Sequence, residues 1–180
     1  MKKQWLIFLA VLVAVYILIG RGLGIKHRIG EDLQLDLFWG NTTLYFDNHD
    51  HVWHNDGATV AVIQFTGQAA EAMHEQLDRS IVWEAFPVPE QIRRIAYEKA
   101  YTWATPSTFA EMASLPQIQR GYWFFVDQTK QRNGTLLYGQ KALENLEDQE
   151  RPWMREEPAI YALAFYDSDA DILYYFQRNL

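Results

Sequence analysis

The sequence predicts an α+β domain with a mainly antiparallel sheet and two or three helices, set behind an N-terminal transmembrane helix. Three observations carry this. An uncharged apolar run, Trp5 to Gly20, stands at the N-terminus. Short β-prone runs separated by turn signals recur through the remainder. The helical patterns are few and lie among hairpins, without the regular β-α-β alternation of a parallel sheet.

The run WLIFLAVLVAVYILIG contains no charge and no Asn, Gln, Ser or Thr. As a helix its sixteen residues cover roughly 24 Å, short of a ~30 Å hydrocarbon core. Arg21 can snorkel and so extend the span to Ile25. Residues 1–25 therefore read as a membrane anchor, with membrane contact expected through residues 5–25. Trp5 and Tyr16 suit the interfaces. A cleaved signal peptide competes, but the following GRGLGIK offers no Ala-x-Ala site. With no cysteine in the chain, a lipoprotein anchor is excluded. A buried core helix would need protein on every side of an extreme terminus. Lys2, Lys3 and the Met1 amine precede the run, while Arg21, Lys26 and Arg28 follow it. The short N-terminal tail favours a single-pass arrangement in the cell membrane with the domain outside the cytoplasm. Residues 26–30, glycine-rich and basic in their surroundings, read as a juxtamembrane linker, and 31–180 as a single acidic α+β domain.

From Glu31 onward eleven Lys and Arg face twenty-three Asp and Glu, a net charge of −12. Such a domain repels phosphate backbones, so no nucleic-acid partner is expected. The absence of cysteine also removes disulfides, zinc-thiolate sites and cysteine nucleophiles. Seven Trp, ten Tyr and ten Phe fall mostly in strand patterns, where aromatic residues pack well. An aromatic groove for sugars or peptides is the sharper alternative.

Leu33, Leu35 and Leu37 alternate with polar residues, Gly40-Asn41 signals a turn, and Leu44 and Phe46 continue the pattern. Residues 32–47 are therefore expected to form a hairpin. ATVAVIQFT (58–66) reads as a central strand. Ala70, Met73 and Leu77 share one helical face over 68–79. Pro89 suits the first turn of a helix over 89–102. Thr108 and Glu111 have capping-box spacing for a short helix before Pro116. Gly121 opens the strand GYWFFVDQ, Asn133-Gly134 turns the chain and Leu136–Tyr138 returns. Residues 140–158 suggest a short helix and a loop, and 159–177 a hairpin with DSDAD at its tip.

The densest chemistry is DNHDHVWHNDG (47–57), with three of the five histidines. Imidazole and carboxylate are ligands for zinc, iron or manganese. His49, His54 and Asp56 form the candidate metal set, and a divalent cation would be the cofactor if they ligate. The spacing departs from the H-x-H-x-D-H pattern of metallo-β-lactamase-like hydrolases, since Trp53 stands at its Asp. The competing reading is a turn-rich structural loop, because Asp, Asn and Gly bond nearby backbone and tolerate positive φ. In that reading no cofactor is held. Asp167, Asp169 and Asp171 imitate the start of a calcium loop, but Ile172 and Arg178 occupy the required Gly and Glu positions. An acidic hairpin tip is expected instead.

Asp47-x-His49, Trp53-His54-x-Asp56-Gly57 and the closing Tyr166-Asp167-Ser168-Asp169 with Leu173-Tyr174-Tyr175 resemble segments of small uncharacterised bacterial membrane-anchored proteins. Those carry a D-x-H…(F/W)-H-x-D-G segment and a C-terminal Y-D-x-D…L-Y-Y hairpin. Here Asp50, His51 and Val52 replace the usual Gly-Gly. The resemblance implies the anchor and the fold, and supplies no activity. It places weight on His49, His54 and Asp56 over His51.

There is no G-x-S-x-G elbow and no Gly-rich phosphate loop before a helix. The sequence therefore points to a membrane-anchored binding or interaction module. A metal-dependent hydrolase built on the 47–56 loop, or an accessory subunit of a membrane complex, are the alternatives.

Overall fold

Apolar residues two apart become strands where both flanks carry turn signals. In the computed structural model, which describes residues 24–49, 57–98, 107–128, 136–147 and 160–179, that rule holds for most of the chain. It fails at the first predicted strand.

The chain divides into two compact units between Trp39 and Gly40. In the first, residues 24–33 form helix α1. Residues 26–30, expected to serve as a linker, lie within this helix. Gln34 adopts left-handed backbone, φ 57°. The Leu35 N–H donates to the Gly30 carbonyl at 2.9 Å and the Gln34 N–H to that of Glu31 at 3.4 Å. These are the paired bonds of a Schellman cap, which satisfy the last carbonyls of a helix and reverse the chain. Leu33, Leu35 and Leu37 are all buried, as is Ile29. The alternation taken for a strand therefore comes from a helix end and its cap, and residues 33–39 are no part of the sheet. Among the described residues no helix is long and apolar enough to cross a membrane. The predicted span over 5–25 lies outside those residues, apart from the last two, which begin α1.

The second unit carries a seven-stranded sheet: β1 (Asn41–Asp47), β2 (Gly57–Gln64), β3 (Glu84–Ala85), β4 (Gly121–Asp127), β5 (Leu137–Tyr138), β6 (Ile160–Asp167) and β7 (Ile172–Asn179). The order is β1-β2-β7-β6-β4-β3, with β5 also on β4. Every pairing is antiparallel. The α+β class with a mainly antiparallel sheet is as expected. β1 pairs with β2 and not with residues 33–39. With α1, helices α2 (Gln68–Arg79), α3 (Glu90–Tyr97), α4 (Phe109–Ala113) and α5 (Gly139–Glu147) bring the described helices to five; the four of the second unit compare with the two or three expected for the domain. The predicted turn at 133–134 lies outside the described residues, while its return strand is β5.

Register sorts the core. Val62, Tyr174, Phe165 and Trp123 lie in one cross-strand row, and Val60, Phe176, Leu163 and Phe125 in the next. Both rows pack on Ile92, Ile95 and Ala96 of α3, Phe109 and Ala113 of α4, and Ala142 and Leu143 of α5. Phe109 stacks on Phe176 with centroids 5.1 Å apart. Each fully buried large apolar side chain contributes roughly 1.5–3 kcal/mol, so this face is a major source of the unit's stability. The opposite face carries Tyr122 and Tyr166, against which α2 rests through His74 and Asp78.

Local chemistry fixes the helix ends. The Thr108 hydroxyl accepts from the Glu111 N–H at 3.1 Å, and the Glu111 carboxylate accepts from the Thr108 N–H at 2.8 Å, completing the predicted capping box. Ser114 then leaves the helix in left-handed backbone. The Glu84 carboxylate on β3 accepts from the Gln140 N–H at 2.7 Å, a negative charge at the positive end of α5.

Register defines the two ends of the sheet. Gln64, Ile172, Asp167 and Gly121 share one end by register, and Gly57, Asn179 and Ile160 the other. Eight residues of β2 separate them, roughly 24 Å at strand rise.

Candidate functional site

The neck of the His-rich loop sits at the second end. The Asn48 N–H donates to the Ala58 carbonyl at 3.1 Å, and the Asn48 side chain accepts from the Ala58 N–H at 2.7 Å. Gly57, at φ 158°, is needed here: a Cβ would stand 2.5 Å from the His49 Cα. His54 and Asp56 lie outside the described residues. Of the candidate metal set the structure places His49 alone, and among the described residues no three metal-ligating side chains converge.

His49 is nevertheless well defined. Its Nδ1 lies 2.6 Å from Asp47 Oδ1, and the two side chains are 7% and 16% exposed. An ionised carboxylate only accepts, so Nδ1 carries the proton. The His49 backbone N–H adds a bond to the same oxygen at 3.2 Å, and the Tyr45 hydroxyl one to Oδ2 at 3.0 Å. Burial pushes the Asp47 carboxyl up, but these bonds from His49 and Tyr45 and the nearby imidazole more than offset it, holding it at about 2. The buried Thr59 hydroxyl approaches His49 Nδ1 at 3.4 Å. Asp47, His49 and Thr59 therefore look like a hydroxyl–imidazole–carboxylate relay but cannot act as one in this arrangement. A relay needs the hydroxyl on one ring nitrogen and the carboxylate on the other.

The first end holds a second cluster, assembled from three distant stretches. Asp171 occupies left-handed backbone in the β6–β7 turn, φ 55°. Asp167 stabilises that turn by accepting from the N–H groups of Asp169 at 2.9 Å and Ala170 at 3.2 Å. The expected acidic hairpin tip is thus present. Asp171 Oδ1 accepts two bonds, from the Tyr166 hydroxyl at 2.9 Å and from His74 Nε2 at 2.9 Å. The same carboxylate logic protonates Nε2 of His74 and leaves Nδ1 as the acceptor nitrogen of the neutral ring. The imidazole meets the Tyr166 ring edge-on, with centroids 5.3 Å apart. Tyr166 is fully buried. Burial first, then the bond to Asp171 and the charges of Asp171 and Asp167, raise its phenol far above the usual tyrosine range, so it serves as a fixed donor.

His74 is also part of a cavity wall. A space of about 430 Å³ opens beside it, lined further by Phe86, Gln119, Arg120, Tyr122 and Ser168. Arg120 forms a close ion pair with Asp169, and the Tyr122 hydroxyl bonds Asp78. Gly121 lets strand β4 approach closely: a Cβ there would overlap the Tyr166 carbonyl oxygen. The wall combines two aromatic rings with imidazole, amide, guanidinium and hydroxyl groups. A volume of this size falls in the range that holds a small ligand.

The sequence marked His49 and the acidic tip but missed the cavity. His74 and Asp171 are 97 residues apart, and only the antiparallel return of β7 along β2 brings them together. A usable signal existed in His74 itself, a titratable residue three positions before the buried Leu77 and one after the buried Met73 on an otherwise regular amphipathic helix. Comparison of the chain with protein-family models, curated proteins and solved structures returns no match.

Proposed function

We propose that the chain is a binding module, held at a membrane by residues 5–25 with its domain outside the cytoplasm, and that its ligand enters the cavity beside His74. The observation that carries this reading is His74 itself: one ring nitrogen is fixed by Asp171 while the side chain lines a ligand-sized space. A pre-oriented acceptor of this kind recognises a hydroxyl or amide N–H. The Arg120 charge is already paired with Asp169, and the acidic domain disfavours anions. The chemistry that fits is an uncharged, hydroxyl-bearing molecule of mono- or disaccharide size, with the Phe86 and Tyr122 rings offering apolar faces. Calorimetric titration of the full chain in lipid nanodiscs with a panel of neutral saccharides and small carboxylates tests this. Binding of a neutral saccharide, weakened at least tenfold (about 1.4 kcal/mol) in His74→Ala and Asp171→Asn, is expected. Preference for the carboxylates, or equal binding by the variants, would contradict it.

One observation favours a metal-dependent hydrolase on the His49 loop as the second reading. Asp47 holds Nδ1, the arrangement that orients a metal-ligating imidazole through its other nitrogen. Zinc and manganese titration of the same sample decides: sub-micromolar affinity lost in the His49→Ala, His54→Ala double variant would favour that loop, with His49, His54 and Asp56 as ligands.

A further inference from the structure

The first unit ends in two exposed aromatic residues, Phe38 at 47% and Trp39 at 74% exposure. Exposed aromatic side chains next to one another call for a partner. Their placement within the unit indicates which one. The Schellman cap reverses the chain after α1, and residues 35–38 run back toward the start of that helix. Lys26 Nζ donates to the Phe38 carbonyl at 2.6 Å and lies 5.8 Å from the centroid of the Phe38 ring. The Phe38 N–H is fixed in turn by Asp36 Oδ1 at 2.9 Å. Trp39 stands edge-on to Phe38 with centroids 4.7 Å apart. Both rings are therefore held at the level of the lysine head.

Lys26 is the residue that follows the span expected over 5–25, one Cα step of about 3.8 Å beyond it. Sixteen uncharged residues, Trp5 to Gly20, precede it in the sequence. A lysine at this place extends its ammonium into the headgroup layer, and Trp is enriched at that depth, where its ring is apolar and its N–H is wet. The charge order along the helix agrees: Lys26, His27 and Arg28 lie in its first half and Glu31 and Asp32 in its last turn. The end that would meet an anionic surface is basic, and the far end is acidic. Resting on the proposal that residues 5–25 cross a membrane, we infer that Phe38 and Trp39 form an interfacial foot that seats the first unit in the lipid headgroup layer, beside the emerging span. The occupant of the exposed aromatic surface is the lipid itself, not another protein.

The test uses the full chain containing 5-fluorotryptophan in a phosphatidylethanolamine–phosphatidylglycerol bilayer. Fluorine resonances are assigned with Trp39→Phe and Trp5→Phe. Lipid bearing a headgroup nitroxide is added in one sample and an aqueous gadolinium chelate in another. The expected result is loss of both the Trp5 and Trp39 signals to the nitroxide lipid, with Trp39 spared by the chelate. Loss of Trp5 with Trp39 retained, or Trp39 lost to the chelate, overturns the foot and leaves the span intact. Retention of the Trp5 signal with nitroxide lipid overturns the span, and the foot with it.

Discussion

Asp47 shows how one carboxylate can tie a loop neck to the sheet. Its folded value of about 2 lies below the usual ~3.9 of an unfolded aspartate. Stability from this group is therefore present above about pH 4 and is lost as pH falls toward 2. Urea unfolding of the full chain between pH 2 and 6 is expected to show that loss, and Asp47→Asn to be less stable at pH 6 while converging with the parent near pH 2. Parallel curves across the range would contradict the assignment. The bond that Asp47 Oδ1 accepts from the His49 N–H, two residues on, explains why a DNHD run reads so strongly as turn chemistry. Short polar side chains that bond nearby backbone were legible from the residues alone. That His49 would also meet Thr59 was not, because the Thr59 hydroxyl reaches its ring only once β1 and β2 pair.

At the scale of elements, capping rules and amphipathic spacing were reliable where the signal was local. The helix over 68–79 appears as Gln68–Arg79, and the Thr108–Glu111 box is present. Thr108→Ala removes one half of that box and is expected to cost about 1 kcal/mol, read as a lowered urea midpoint, with Thr108→Ser close to the parent. If the two variants behave alike, the box contributes nothing. The strands at 121–127 and 160–179 were equally clear, since their aromatic and β-branched residues face helices on one side and α2 on the other. The failure at 33–39 has a physical cause. Three leucines two apart satisfy a strand template, yet a helix C-terminus with its cap buries the same positions, and Gln34 gives no glycine to mark the left-handed cap residue. β1, at the sheet edge, leaves Leu44, Tyr45 and Phe46 exposed, so burial of its own side chains did not mark β2 as its partner.

Across the whole molecule, the two chemical clusters sit at opposite ends of one sheet. The His49 neck was visible in the sequence as a density of ligating residues, and the cavity was not, because His74, Arg120 and Asp171 come from three separated stretches. Protease added to intact, wall-stripped cells is expected to digest the domain; survival until lysis would reverse the proposed orientation. The most direct test of where ligand binds is residue-resolved NMR of the full chain in nanodiscs, titrated with a neutral saccharide that binds. Shifts centred on the His74 ring, Gly121, Tyr122 and Ser168, with Asn48, His49 and Thr59 unmoved, are the expected result. Shifts confined to His49 and its neighbours, or spread evenly without a centre at His74, would contradict the cavity as the binding site.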